Sequence, residues 1–126
     1  MASPSQKINI LRLYTDDAAE SHFIEETLEA HEVNFAPPAL PVYSTQPIAT
    51  RQSMFLFLPE GYFGDFHPVP SRQIMTLVSG ALEVTVSDGE VRRFTPGQTV
   101  LVEDTTGKGH STRSIGGESV LTCVQL

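Results

Sequence analysis

A chain of 126 residues with 40% hydrophobic content has the size of one globular domain and is too apolar to be disordered. Its net charge of −7, with only 8 Lys and Arg residues, repels polynucleotides and anionic membrane surfaces and so argues against nucleic acid and membrane as partners. No apolar run approaches the ~18 residues of a membrane helix. The first residues lack a basic-then-apolar leader, and the lone Cys123 has no internal disulfide partner. The expected setting is therefore cytoplasmic, with Cys123 a core thiol in Val120-Leu121-Thr122-Cys123-Val124.

Taken in chain order, residues 1–6 form a polar tail, and Ile8 to Tyr14 is predicted as a strand. Seven of the 15 acidic residues fall in the first 35 positions, which marks that segment as a solvated, self-repelling face rather than a metal trap. Glu20 to Phe35 has helical composition, but Phe23, Ile24, Leu28, Val33 and Phe35 make no helical stripe. Strand or short helix remains, with strand favoured. Ala36-Pro37-Pro38-Ala39-Leu40-Pro41 lacks the amide donors of a regular element and is expected to be an extended surface connector.

From Arg51 onward the pattern is β. Met54 to Leu58 is an apolar run stopped by Pro59-Glu60-Gly61, and Gln73–Val78, Leu82–Val86, Val91–Phe94, Thr99–Glu103, His110–Ile115 and Ser119–Val124 follow at even spacing. Turn residues separate them, and Asp88-Gly89 between Val86 and Val91 is a tight-hairpin signal, because the turn needs positive φ. Many short strands with such punctuation predict an all-β sandwich or barrel. The chain divides into the tail, N-terminal strands and a proline-rich arm over residues 7–50, and a barrel core over residues 51–126.

The stretch Leu77-Val78-Ser79-Gly80-Ala81-Leu82 and the turn Phe94-Thr95-Pro96-Gly97 resemble the two motifs of the cupin superfamily. The resemblance covers about half the chain, from Gly64 to His110. It implies a double-stranded β-helix, the cupin-type jelly-roll barrel, often paired as a homodimer through added N-terminal strands. Cupins place a divalent metal with a His-x-His pair, a glutamate and a later histidine. By resemblance His67 and His110 match the first and last histidines, while Val69 replaces the second and Gln73 the glutamate. The motif is degenerate, leaving His67, Gln73 and His110 as a weak set for one loosely held Fe, Mn, Ni or Zn ion, or for none.

Strand alternation puts Gln73, Met75 and Leu77 on one face, which the resemblance assigns to the barrel interior. On the later strand Thr99, Leu101 and Glu103 share a face. If that face is internal, Glu103 meets His67 and His110 and tunes one imidazole; the alternative is that Glu103 or Asp104 caps a turn. Phe55, Phe57 and Phe66 are candidate apolar lining, Tyr62 a lip between glycines, and Arg51, Arg72 and Arg113 candidate clamps for a substrate oxygen.

The preferred reading is an isomerase- or lyase-type enzyme acting on a small organic molecule by acid-base chemistry. His67, His110 and Glu103 are the catalytic set, and Gln73, Arg51, Met75, Phe57, Tyr62 and Arg113 bind substrate. A metal-dependent dioxygenase using His67, Gln73 and His110 is the runner-up. A non-enzymatic module binding a sugar or other small molecule is the third.

Overall fold

The structure is a computed structural model that describes residues 6–126. Of the polar tail, residues 1–5 lie outside the described residues, and Gln6 opens the first strand. Eleven strands follow: β1 (Gln6–Thr15), β2 (Ser21–Val33), β3 (Val42–Ser44), β4 (Gln52–Leu58), β5 (Phe63–His67), β6 (Gln73–Ser79), β7 (Leu82–Val86), β8 (Val91–Phe94), β9 (Thr99–Val102), β10 (His110–Ser114) and β11 (Ser119–Gln125). Among the described residues no helix is long and apolar enough to cross a membrane.

The strands form a seven-stranded sheet, β3-β2-β1-β9-β6-β11-β4, and a four-stranded sheet, β5-β10-β7-β8. From β4 onward the chain crosses from one sheet to the other and back, with only the β7–β8 hairpin staying in one. This is jelly-roll winding. The hairpin closes at Gly89, whose φ of 99° is the positive value that Asp-Gly accommodates.

The segment left between strand and helix is β2, paired with β1 from Ser21 to Ala30. Tertiary pairing overrides its helical composition, because Phe23 on this strand packs with Leu13 into the core shared by Leu77, Leu82, Val84 and Phe94. The proline segment differs from its expectation. Rather than an extended connector, Ala36–Ala39 is a tight turn in which the Ala39 N–H donates to the Ala36 carbonyl at 2.9 Å, returning the chain to pair β3 with β2. The strand β5 is absent from the sequence expectation, because Phe63-Gly64-Asp65-Phe66-His67 has neither β-branched residues nor a clean alternation.

Two features of the register position the site. First, β1 runs parallel to β9, with Leu11, Arg12 and Leu13 opposite Val100, Leu101 and Val102. Second, the β5–β10 pairing is irregular: His67 faces His110 and Gly64 faces Thr112, so two residues of β5 oppose the single Ser111. Such a bulge reverses the inward-outward phase along one strand. As a result Tyr62 and His67 both line the interior, although strict alternation puts residues an odd number apart on opposite faces.

Candidate active site

A cavity of about 180 Å³ lies between the sheets, and His67 and His110 both line it. Their ring centroids are 5.2 Å apart with an interplanar angle of 45°. Each ring is held through Nδ1. The His67 Nδ1 lies 2.7 Å from the Asp65 carbonyl oxygen, and a carbonyl only accepts, so Nδ1 carries the proton. The His110 Nδ1 lies 2.6 Å from the Asp104 Oδ2, and an ionised carboxylate likewise only accepts. In the neutral ring both histidines therefore keep the lone pair on Nε2.

Asp104 is fully buried. Its backbone carbonyl accepts from the Val69 N–H at 3.0 Å, which ties the end of β9 to the segment that follows His67. The second carboxylate oxygen, Oδ1, is buried without a hydrogen-bond partner among the described residues. A buried, half-satisfied carboxylate is costly to the fold, and structural packing gives no reason for one here.

Asp104 corrects the expectation for Glu103. The inward set of β9 is Val100 and Val102, and Asp104 continues that phase. Glu103 points the other way, where Arg12 binds one carboxylate oxygen and the Arg72 Nε reaches the other at 2.7 Å. Burial pushes the Glu103 carboxyl up, but these hydrogen bonds and charges outweigh it and leave the group below its usual value. The parallel β1–β9 pairing brings Arg12 there, a contact invisible to local alternation. One signal for Asp104 was present: it lies two residues beyond Val102 in an apolar inward series.

Of the remaining candidates, Gln73, Met75 and Tyr62 line the cavity with the histidines. The Gln73 side chain is buried, its Nε2 3.2 Å from the Met75 sulfur and its Oε1 accepting from Gln125 at 3.3 Å. Phe57 does not line the cavity. It is 62% exposed and Phe55 66%, because β4 turns Leu56 and Leu58 inward instead; a continuous apolar run carries no phase. Phe66 is also exposed. Arg51 donates outside the barrel to the Leu126 carbonyl at 2.8 Å and to the Ser71 hydroxyl. Arg113 pairs with Glu83 at 2.9 Å, since its neighbour Thr112 takes the inward position. Thr112 was missed, although it shares the phase of His110 by simple alternation.

The donors do not fit a tightly held dication. Val69, at the position of the missing histidine, is buried and offers no lone pair. No group of three or more His, Cys, Asp or Glu side chains converges among the described residues. Two imidazoles and an amide already engaged with Gln125 make a poor inner sphere.

No family model matches the chain, and no curated protein matches it. Among solved structures it is similar to the Cnp3 cupin domain of Schizosaccharomyces pombe, with 15% identity over 95% of this chain and 84% of that one, at a TM-score of 0.45. A conserved protein of unknown function from Streptococcus pyogenes is 25% identical over 62% of this chain and 68% of its own, with a TM-score of 0.47. Protein NMB1881 of Neisseria meningitidis is 22% identical over 59% and 72%, with a TM-score of 0.46. Likenesses at that level carry no argument about function, and the fold stands on its own strand order. By that order, with β9-β6-β11-β4 wound against β5-β10-β7-β8, the chain is a cupin-type double-stranded β-helix whose larger sheet is extended by β1, β2 and β3.

Proposed function

We propose that this barrel is an acid-base enzyme of the isomerase or lyase type, with His110 as base, His67 as acid and Asp104 as the group that orients His110. The observation that supports the reading is the buried Asp104–His110 pair behind a cavity-lining imidazole. A carboxylate on Nδ1 holds the ring in the tautomer that exposes Nε2 and stabilises the imidazolium formed when Nε2 takes a proton. His67, backed by a neutral carbonyl and exposed at the rim, is suited to donate from Nε2 in its imidazolium form and to recover its proton from solvent. In an elimination the substrate C–H proton passes to His110, the electron pair forms the new π bond, and the departing oxygen takes the His67 proton. In an isomerisation the proton returns at another carbon. Glu103, removed from the site by Arg12 and Arg72, has no part in this scheme.

The test is the base-promoted ring opening of 5-nitrobenzisoxazole, an uncharged generic probe of a general base in an apolar site. The parent should open it faster than buffer does, His110→Ala should abolish the excess, and His67→Ala should reduce it. A rate unchanged in both variants, or no excess in the parent, would overturn the reading; the latter would favour the binding module. The same reading includes a homodimer, supported by the exposed Phe55 and Phe57 on the edge strand β4.

A further inference from the structure

The geometry points to the class of molecule this cavity takes: an uncharged, mostly apolar compound about the size of one six-membered ring, carrying a single oxygen function. The role of that oxygen rests on the acid-base reading, whereas size and charge rest on the cavity alone.

Size comes first. About 180 Å³ is close to a ~150 Å³ apolar cavity known to accept benzene, and well short of the ~300 Å³ at which sites for larger ligands begin. One ring with a small substituent fills it.

Charge is decided by the walls. No Arg, Lys, Asp or Glu side chain lines the cavity among the described residues. The arginines expected to clamp an anion are engaged elsewhere: Arg72 on Glu103, Arg113 on Glu83, and Arg51 on the Leu126 carbonyl. A carboxylate or phosphate entering the barrel would leave water without a guanidinium to meet it. Of the two imidazoliums the acid-base reading uses, that of His110 is already faced by Asp104 at 2.6 Å, so a second anion there would be repelled, and that of His67 stands exposed at the rim, where water screens its pull on an anion. An ammonium substrate would likewise find no carboxylate on the wall.

The distribution of polar groups sets the rest. His67, His110, Tyr62 and Thr112 come from β5, β10 and the turn before β5; the other two polar lining residues have their amide oxygens engaged, Gln73 by Gln125 and Gln98 by the Thr95 N–H, and Leu82, Val84, Phe94 and Leu121 supply buried apolar wall. A sugar filling this space would press hydroxyl groups against those four side chains, where each loses its hydrogen bonds to water without replacement. A molecule with one oxygen directed to the histidines and hydrocarbon elsewhere satisfies both ends.

Binding of cyclohexanone, cyclohexanecarboxylate, cyclohexylammonium and glucose, measured by ligand-observed NMR on the full chain, tests this. Cyclohexanone should bind at least tenfold more tightly than the other three and show nuclear Overhauser contacts to the methyl groups of Leu82 and Val84. Equal or tighter binding of the carboxylate, the ammonium or glucose would overturn the inference, as would failure of cyclohexanone to bind or contacts only at the outer surface. Deuterium uptake at the ring carbons beside the carbonyl reads the acid-base reading separately. Binding with those contacts but without exchange would support the ligand class and count against the catalytic roles.

Discussion

Gly109 is packed directly against the backbone of His67. A Cβ at residue 109 would stand 2.1 Å from both the carbonyl carbon and the oxygen of His67, and φ at Gly109 is +75°. The clash is with main chain, which has no rotamer by which to move aside. This approach brings His67 and His110, far apart in sequence, into register as neighbours across β5 and β10.

Gly109→Ala is accordingly expected to destabilise the fold by about 3 kcal/mol or more, combining left-handed strain with the backbone clash. Urea unfolding measures it. A loss below about 1 kcal/mol would mean that the β9–β10 loop is free to swing away, and that the spacing of the two rings is loosely held.

Asp104→Asn tests the orienting role. An amide can donate to Nδ1 as well as accept, so the His110 tautomer is no longer imposed. Ring opening of 5-nitrobenzisoxazole should fall steeply, by up to about 10⁴-fold as when the orienting carboxylate of a catalytic triad becomes an amide, and the ¹⁵N shifts of His110 should show the proton redistributed between its ring nitrogens. An unchanged tautomer with a lowered rate would indicate that Asp104 matters only to packing.

A pH-dependent contact lies on the same side of the barrel. The His22 Nε2 is 2.6 Å from Asp16 and its Nδ1 2.7 Å from Asp88, which joins the β1–β2 turn to the β7–β8 hairpin. Hydrogen bonds donated by His22 to Asp16 first and to Asp88 second raise the His22 pKa. The Asp16 carboxyl is lowered by its bond to His22, and the Asp88 carboxyl chiefly by the Glu90 N–H. The contribution of His22 is thus complete below its unfolded value of ~6.5 and is lost as pH rises through the higher folded value. Those of the aspartates are present above ~3.9 and are lost as pH falls through their lowered values. The melting temperature of the parent should decline from pH 6 to pH 9 more steeply than that of His22→Gln. Parallel curves would show that the contact adds nothing.

Restoring the missing donor should restore metal affinity. Val69 lines the cavity with both histidines, so Val69→His supplies a third imidazole and is expected to bind Ni²⁺ at least about tenfold more tightly than the parent, by titration calorimetry. Equal affinities would mean that the three rings do not converge.

For the dimer, sedimentation velocity of Phe55→Ser/Phe57→Ser should show a smaller species than the parent. Both side chains face outward on β4, so the pair can be removed without opening the core. A monomeric parent would remove this part of the proposal.

Cavity, strands and turns were readable to different depths. Strands from Gln73 onward, the Asp88-Gly89 hairpin and the shared face of Gln73, Met75 and Leu77 follow from alternation and turn chemistry, which act over a few residues; that this face is the inner one followed from the family resemblance. The placement of the two histidines in one barrel followed from the family resemblance together with that alternation. The run Met54–Leu58 has no polar residue to mark a phase, which is why Phe57 was expected inside where Leu56 and Leu58 stand.

By itself, then, the sequence determined a succession of short strands and tight turns, because side-chain periodicity and positive-φ turns are local properties, and its resemblance to a known family put His67 and His110 toward one interior. Tertiary structure alone decided which carboxylate serves His110. The parallel pairing of β1 with β9 brings Arg12 to Glu103, and the β5 bulge turns Tyr62 and His67 to the same side. Both depend on contacts between distant segments, whose register no short stretch of residues encodes.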